Sequence, residues 1–248
     1  MKKLILFFSF LGVILFMGCG CECNKEGTSS SEVVFKKGLL IPVYFNNDNE
    51  EWNKVIYNDA EEVVIINVND GPGDSVDASY VQFISSLIAN GKKPIGYIYT
   101  KYGSRSLSDV ESDIDKWLKL YPDIEGFFID EVSANSAELS YYKTIYDYIK
   151  SKGDYFIVLN VGTIPDKSYF EVADNVVVFE DDVSKFVDGV CEINSSKSSI
   201  IVYGASEEQM KSIITSNNCR YFYITDDSGL YPYDSLPTYF DEESSLLK

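Results

Sequence analysis

Three carboxylates stand where the chain turns from apolar to polar. Asp130 and Glu131 close the run Gly126-Phe127-Phe128-Ile129, and Glu180 closes Val176-Val177-Val178-Phe179. A short apolar run bounded by polar residues is the mark of a strand covered on both faces. Such a strand has no structural need to finish in acids, whereas reactive groups gather at the carboxyl ends of parallel strands that alternate with helices. Two strands that flank a third have backbones roughly 10 Å apart. Inward side chains on them can bring carboxyl oxygens into the roughly 5–9.5 Å range that splits a glycosidic bond by paired acid and base or nucleophile. One carboxyl must then keep its proton while the other ionises, and clustered acids arrange this by raising the cost of ionising both. Neighbours on an extended strand point to opposite sides, so Asp130 and Glu131 should not face a substrate identically. Which of them partners Glu180 stays open.

The composition narrows the alternatives. With no histidine in 248 residues, a Ser-His-Asp or Cys-His mechanism and an imidazole zinc site are excluded. Chemistry must run on carboxylates, tyrosines or lysines, and no metal or cofactor is expected. The turn Asp70-Gly71-Pro72-Gly73 lacks the G-x-G-x-x-G spacing of a dinucleotide site. A formal charge of -18 argues against nucleic acid, whose binding rests on Lys and Arg at phosphates. It would suit a cationic partner.

The first residues read as a targeting segment. Lys2 and Lys3 precede an apolar stretch from Leu4 to Met17, too short to span a bilayer comfortably. Phe16-Met17-Gly18-Cys19 resembles a bacterial lipobox, so a signal peptide over 1–18 and lipidation of Cys19 are expected. A polar linker over 19–36 follows. The expected protein is exported, touches the membrane only through its lipid, and is a monomer. Loss of Lys2 and Lys3 takes the charge from -18 to -20.

From 37 to 248 one domain alternates strand and helix patterns. The strand runs are Leu39 to Phe45, Glu62 to Val68, Lys93 to Tyr99, Gly126 to Asp130, Tyr155 to Asn160, Asn175 to Phe179, Ser199 to Tyr203 and Arg220 to Thr225. Helical faces lie between them, as in Tyr80, Phe83, Ile84, Leu87 and Ile88 before the stop at Gly91. Ser108 to Glu111 and Ser206 to Gln209 read as capping boxes. Eight strands alternating with about eight helices most economically make a (β/α)8 TIM barrel, an α/β fold. The strand ends then carry Tyr44, Asn67, Thr100, Tyr102, Arg105, Asn160, Tyr203 and Asp226 around one mouth, expected to bind substrate. Cys191 and Cys219 fall in neighbouring loops at the other end, where an exported protein can form a disulfide.

At this point the residues resemble the spherulin-4 (spherulation-specific family 4) glycoside hydrolases, from Leu39 to about Glu242. The matching blocks are Leu40-Ile41-Pro42-Val43-Tyr44, Asn67 with Gly71-Pro72-Gly73, and Gly96 through Arg105. They continue with Tyr121-Pro122 leading to Gly126 through Glu131, Asn160 with Gly162-Thr163-Ile164-Pro165, Phe179-Glu180, and Thr225-Asp226 with Pro232 through Pro237. Val68 and Val161 depart from the pattern, standing where proline is expected. The resemblance implies a (β/α)8 barrel, with Asp130, Glu131 and Glu180 as its acids. It also implies an endo-acting α-1,4-N-acetylgalactosaminidase-like activity on a galactosamine-containing exopolysaccharide.

Overall fold

The computed structural model describes residues 35–45 and 50–248. Residues 1–34, with the expected signal segment, Cys19 and most of the linker, lie outside the described residues. Eight parallel strands pair in chain order and close on themselves. They are β1 (Gly38–Val43), β2 (Glu62–Ile66), β3 (Lys93–Tyr99), β4 (Gly126–Asp130), β5 (Phe156–Asn160), β6 (Asn175–Asp182), β7 (Ser198–Tyr203) and β8 (Tyr221–Ile224). Apart from the polar far end of β6, each is a short, nearly continuous apolar run, as strands covered by barrel interior and helices must be.

The helices are α1 (Glu50–Tyr57), α2 (Ala78–Ala89), α3 (Leu107–Leu120), α4 (Leu139–Lys152), α5 (Glu207–Ser216) and α6 (Phe240–Leu246). Six α-helices among the described residues replace the eight of the ideal pattern. After β5 and β6 the chain returns through short 3-10 turns, Lys167–Glu171, Val183–Lys185, Val190–Ile193 and Ser195–Lys197, because no long apolar face is written there. Tyr169, Phe170 and Cys191 still bury against the core. The Ser206–Gln209 box forms with both reciprocal bonds. The box expected at Ser108 does not: Ser106 is the N-cap of α3, accepting from the Asp109 amide, since the helix begins one turn earlier than its apolar face. None of the helices among the described residues is long and apolar enough to cross a membrane.

Strand register decides which side chains enter the barrel. Phe156 on β5 meets Tyr221 on β8 edge to face, and these strands are not sheet neighbours, so both rings lie in the lumen. Parity then carries inward Val158 and Asn160 on β5 and, through Phe156↔Gly126, Phe128 and Asp130 on β4. Through Ile95↔Gly126 it carries Tyr97 on β3, and through Gly38↔Tyr221 it carries Tyr44 just past β1. Gly96 faces outward, where a Cβ would stand 2.7 Å from the Trp117 ring. Only glycine lets α3 lie this close, and the Trp117 indole N–H donates to the Tyr97 carbonyl at 2.9 Å. That packing fixes Tyr97 pointing into the barrel.

At the opposite end Cys191 and Cys219 are joined in a disulfide with Cα atoms 5.3 Å apart, within the usual range. Both are buried.

Candidate active site

Glu180 enters the mouth by way of a fault in its strand. Val177 pairs with Ser199 and Phe179 with Ile200, which leaves Val178 as an extra residue in β6. A bulge of this kind re-aims the side chains that follow. Ser199 and Ile201 share the inward parity of Tyr221, so Val177 faces in, and three residues later Glu180, opposite Ile201, faces in as well. Without the extra residue Phe179 would take that place. The strand also runs on to Asp182, so Glu180 does not end it, as the apolar run suggested.

Asp130 and Glu180 meet across β5. The Asn160 side-chain amide donates one N–H to Asp130 Oδ1 at 2.7 Å and the other to Glu180 Oε2 at 2.5 Å. Those two oxygens are therefore no more than about 5.2 Å apart, the two bonds laid end to end. Two phenols complete the arrangement. Tyr97 donates to Asp130 Oδ2 and Tyr233 to Glu180 Oε1, each at 2.7 Å. The Tyr44 ring stands between these phenols, edge-on to both, with centroids 5.8 Å from Tyr97 and 6.2 Å from Tyr233.

Burial, and next the Asp130 carboxylate, push the Glu180 carboxyl above its ordinary range, although the bonds from Asn160 and Tyr233 pull the other way. The same causes act on the phenols. Burial and then Asp130 hold Tyr97 far above the usual phenol range, and burial and then Glu180 do the same to Tyr233. Both stay protonated donors over any working pH.

Glu131 departs from the expected alternation. Its backbone is left-handed, with φ 52°, a conformation uncommon for a residue with a Cβ. The turn is held by its own carbonyl, which accepts from Thr100 Oγ1 at 2.8 Å and from the Tyr102 amide at 2.7 Å. Lys101 and Tyr102 are left-handed too, and Lys101 N–H donates to Glu131 Oε2 at 3.2 Å. Because the strand ends in this turn, Asp130 and Glu131 both line one cavity instead of facing apart. The cavity, of about 330 Å³, is completed by Tyr102, Asn160, Val161, Gly162 and Glu180. Strained backbone gathered at a polar mouth is characteristic of functional sites.

Of the residues expected to bind substrate, Tyr102 and Asn160 line this cavity, and Tyr44 borders the carboxyl pair. The others are occupied elsewhere. Thr100 Oγ1 binds the Asp130 and Glu131 carbonyls, and Asn67 Oδ1 accepts from the Gly71 amide in the turn after β2. The Arg105 guanidinium is held by the Tyr99 carbonyl and by Asp113 at 2.6 Å. Tyr203 donates to Asp181 at 3.1 Å, and both Asp226 oxygens accept from Thr238, one from its amide and one from its hydroxyl. Tyr97 and Tyr233 were not singled out by sequence. Tyr97 shares strand parity with Ile95 and so could have been placed, but Tyr233 lies in a long loop with no periodicity to betray it. Among the described residues no group of three or more acids or cysteines could hold a metal ion.

Comparisons with known proteins agree with this architecture. Spherulin-4 of Physarum polycephalum is 35% identical, over 84% of this chain and 69% of that protein. The crystal structure of Aspergillus clavatus Sph3 in complex with GalNAc superposes with a TM-score of 0.77 at 22% identity, over 86% of this chain and 97% of that one. An endo-β-N-acetylglucosaminidase from Cordyceps militaris, in apo form, gives 0.56 at 10% identity, over 86% and 90%. The family model described as spherulation-specific family 4 matches residues 38–247, and the chain belongs to that family.

Proposed function

We propose that this chain is a glycoside hydrolase that cleaves internal bonds of a galactosamine-containing exopolysaccharide, with Asp130 and Glu180 as its reacting pair. One observation carries the reading. A single amide, Asn160, binds a carboxyl from each flanking strand at the mouth of a closed barrel. A nearest-oxygen gap of no more than about 5.2 Å supports the closer of the two carboxyl spacings, the roughly 5–5.5 Å of enzymes that form a covalent glycosyl intermediate. It falls short of the roughly 6.5–9.5 Å that leaves room for an attacking water.

Glu180 is the acid, because burial and the Asp130 charge favour its protonated form. Asp130, accepting from Tyr97 and Asn160, is the nucleophile. Its carboxylate bonds to the anomeric carbon as the bond to the leaving oxygen breaks, and that oxygen takes the Glu180 proton. Glu180 then removes a proton from water, which attacks the same carbon and frees Asp130. Glu131 and the largely exposed Tyr102 offer a carboxylate and an aromatic face to the sugar beside the scissile bond. A neighbour solved with GalNAc supports an amino-sugar polymer. Acids just past strand ends, Asp70 after β2 and Asp227 after β8, suit the ammonium groups of a partly deacetylated one.

The test is incubation of the protein with a panel of exopolysaccharides, including partly deacetylated galactosamine polymer, with product masses read over time. Short oligosaccharides of several lengths are expected at early times, with the anomeric configuration retained by proton NMR. Binding without release from any polymer would make the chain a carbohydrate-binding protein instead. Export on a lipid at Cys19 belongs to the same proposal. Cys19→Ala should move the protein from the membrane to the soluble fraction, and unchanged membrane association would remove the anchor.

A further inference from the structure

We infer that Tyr233 is a positioning residue that holds Glu180 for proton transfer, and that Asp226 serves the site only by clamping the loop that delivers it. The inference rests on the reading of Asp130 and Glu180 as the reacting pair.

The loop in question joins β8 to α6, residues 225–239, and its outer part is open to solvent, with Leu230 and Tyr231 largely exposed. It is tied down at its base. Asp226 binds both the amide and the hydroxyl of Thr238, and the Leu236 amide donates to Glu51 on α1 at 3.0 Å. Between these ties Tyr233 turns inward. Its ring rests edge-on against Tyr44 and Tyr223, both centroids 6.2 Å away. Its hydroxyl reaches Glu180 Oε1, and Asn160 holds Oε2 from β5, so both carboxyl oxygens are fixed by different elements.

The titratable groups facing Glu180 are Asp130 from β4, Glu131 and Tyr102 across the shared cavity, Tyr44 from the end of β1, Tyr233 from this loop, and Asp181 on its own strand. Asp130 and Asp181 raise its affinity for a proton, whereas the Tyr233 bond lowers it. The phenol therefore keeps Glu180 from holding its proton too tightly to give it up or to act later as a base. Ring packing alone would do nothing of the kind.

Tyr233→Phe separates the two roles, since it keeps the ring and removes the hydroxyl. In protein labelled with 13C at its carboxyls, the signal lost in Glu180→Gln identifies Glu180, and no substrate is needed. In Tyr233→Phe that signal should titrate at higher pH than in wild type. The alkaline limb of kcat/KM, which reports the protonated acid, should move up with it. Loss of one hydrogen bond to an ionisable group should lower kcat about 10- to 100-fold with little change in KM. Asp226→Ala should give a smaller change in the same direction, and adding it to Tyr233→Phe should cost nothing further. A Glu180 titration and alkaline limb unmoved by Tyr233→Phe would reduce Tyr233 to packing. A double variant losing the product of both effects would give Asp226 a role of its own. Failure of the wild type to release oligosaccharides would instead sink the hydrolase reading, and would be seen before any variant is made.

Discussion

Two pairs of carboxyls sit in this barrel, one half-buried at the mouth and one buried on the flank, and only the first has what the proposed chemistry requires. The mouth pair, Asp130 and Glu180, points into the lumen, receives hydrogen bonds from Asn160, Tyr97 and Tyr233, and opens on a cavity. The flank pair, Glu62 and Glu243, lies between the barrel wall and its helices. Glu62 pairs with Leu39 in register and so faces outward, 3.5 Å from the Lys92 ammonium. Glu243, on α6, accepts from the Ile224 amide at 2.8 Å, a strand N–H beyond the two residue pairs that join β8 to β1. Burial lifts both flank carboxyls to about 8. A raised proton affinity is thus shared by Glu180 and both flank carboxyls. A donor on every carboxyl oxygen and room for a substrate belong to the mouth alone, whereas Glu62 and Glu243 keep oxygens with no hydrogen-bond partner, and that geometry separates the proposed acid from a merely buried one.

The widest gap between the pairs should appear in turnover. Glu180→Gln and Asp130→Asn keep size and hydrogen-bonding capacity but remove the carboxyl proposed to react. Roughly a 10²–10⁴-fold loss of kcat is expected for the proposed acid and at least as much for the proposed nucleophile, with thermal stability near wild type. Wild-type turnover in Glu180→Gln, on a polymer the parent cleaves, would erase the distinction between mouth and flank.

Much of this contrast was legible in the sequence, and the illegible part has a physical cause. Apolar runs of strand length announced the barrel, and β3 and β4 fell on their written bounds because each run is bordered by polar or turn residues on both sides. The mouth acids stood out because an apolar strand has no use for a terminal carboxylate. The bulge at Val178 was invisible, since Val176-Val177-Val178-Phe179 reads as apolar in either phase. The left-handed turn at Glu131 was hidden as well, because it depends on Thr100 and Tyr102 from another loop. Arg105 and Asp226 show the converse limit. Their charges and places suggested substrate, yet Asp113 and Thr238 had already engaged them.

Stability should respond at regions remote from the mouth. Reducing Cys191–Cys219, 28 residues apart in sequence, should cost about 3–4 kcal/mol by the loop-entropy relation. The reduced protein, at a temperature where it stays folded, should keep the wild-type kcat and pH profile. A changed pH profile would mean that the two ends of the barrel are coupled and that the comparison is too simple.

A smaller effect isolates the flank. In the folded chain Glu243 titrates near 8 instead of its ordinary 4.5. Between those values the folded state keeps a proton that the unfolded state has lost. The contribution to stability is full below about pH 4.5 and fades as pH rises through about 8. Glu243→Gln keeps an acceptor for the Ile224 amide and removes the titration. Chemical denaturation should then show a flatter decline of stability between pH 4.5 and 8, with the variant ahead of wild type at pH 8. Turnover should be unchanged, and a loss of activity would move Glu243 into the same class as Glu180.

The smallest expected effect compares two tyrosines that each donate to a carboxylate. Tyr233 reaches Glu180 inside the mouth, whereas Tyr203 reaches Asp181 at 3.1 Å on the rim. The Asp181 carboxylate is also held by Lys185, with both oxygens 2.8 Å from the ammonium, so removing the Tyr203 hydroxyl leaves it paired. Partly exposed contacts of this kind contribute about 0–1 kcal/mol. Tyr203→Phe should therefore leave kcat/KM within about twofold of wild type and the alkaline limb where it was, while Tyr233→Phe moves that limb. A tenfold rise in KM for Tyr203→Phe, with kcat unchanged, would instead place a sugar against the Tyr203 hydroxyl and extend the binding surface past the cavity to the rim beside β7.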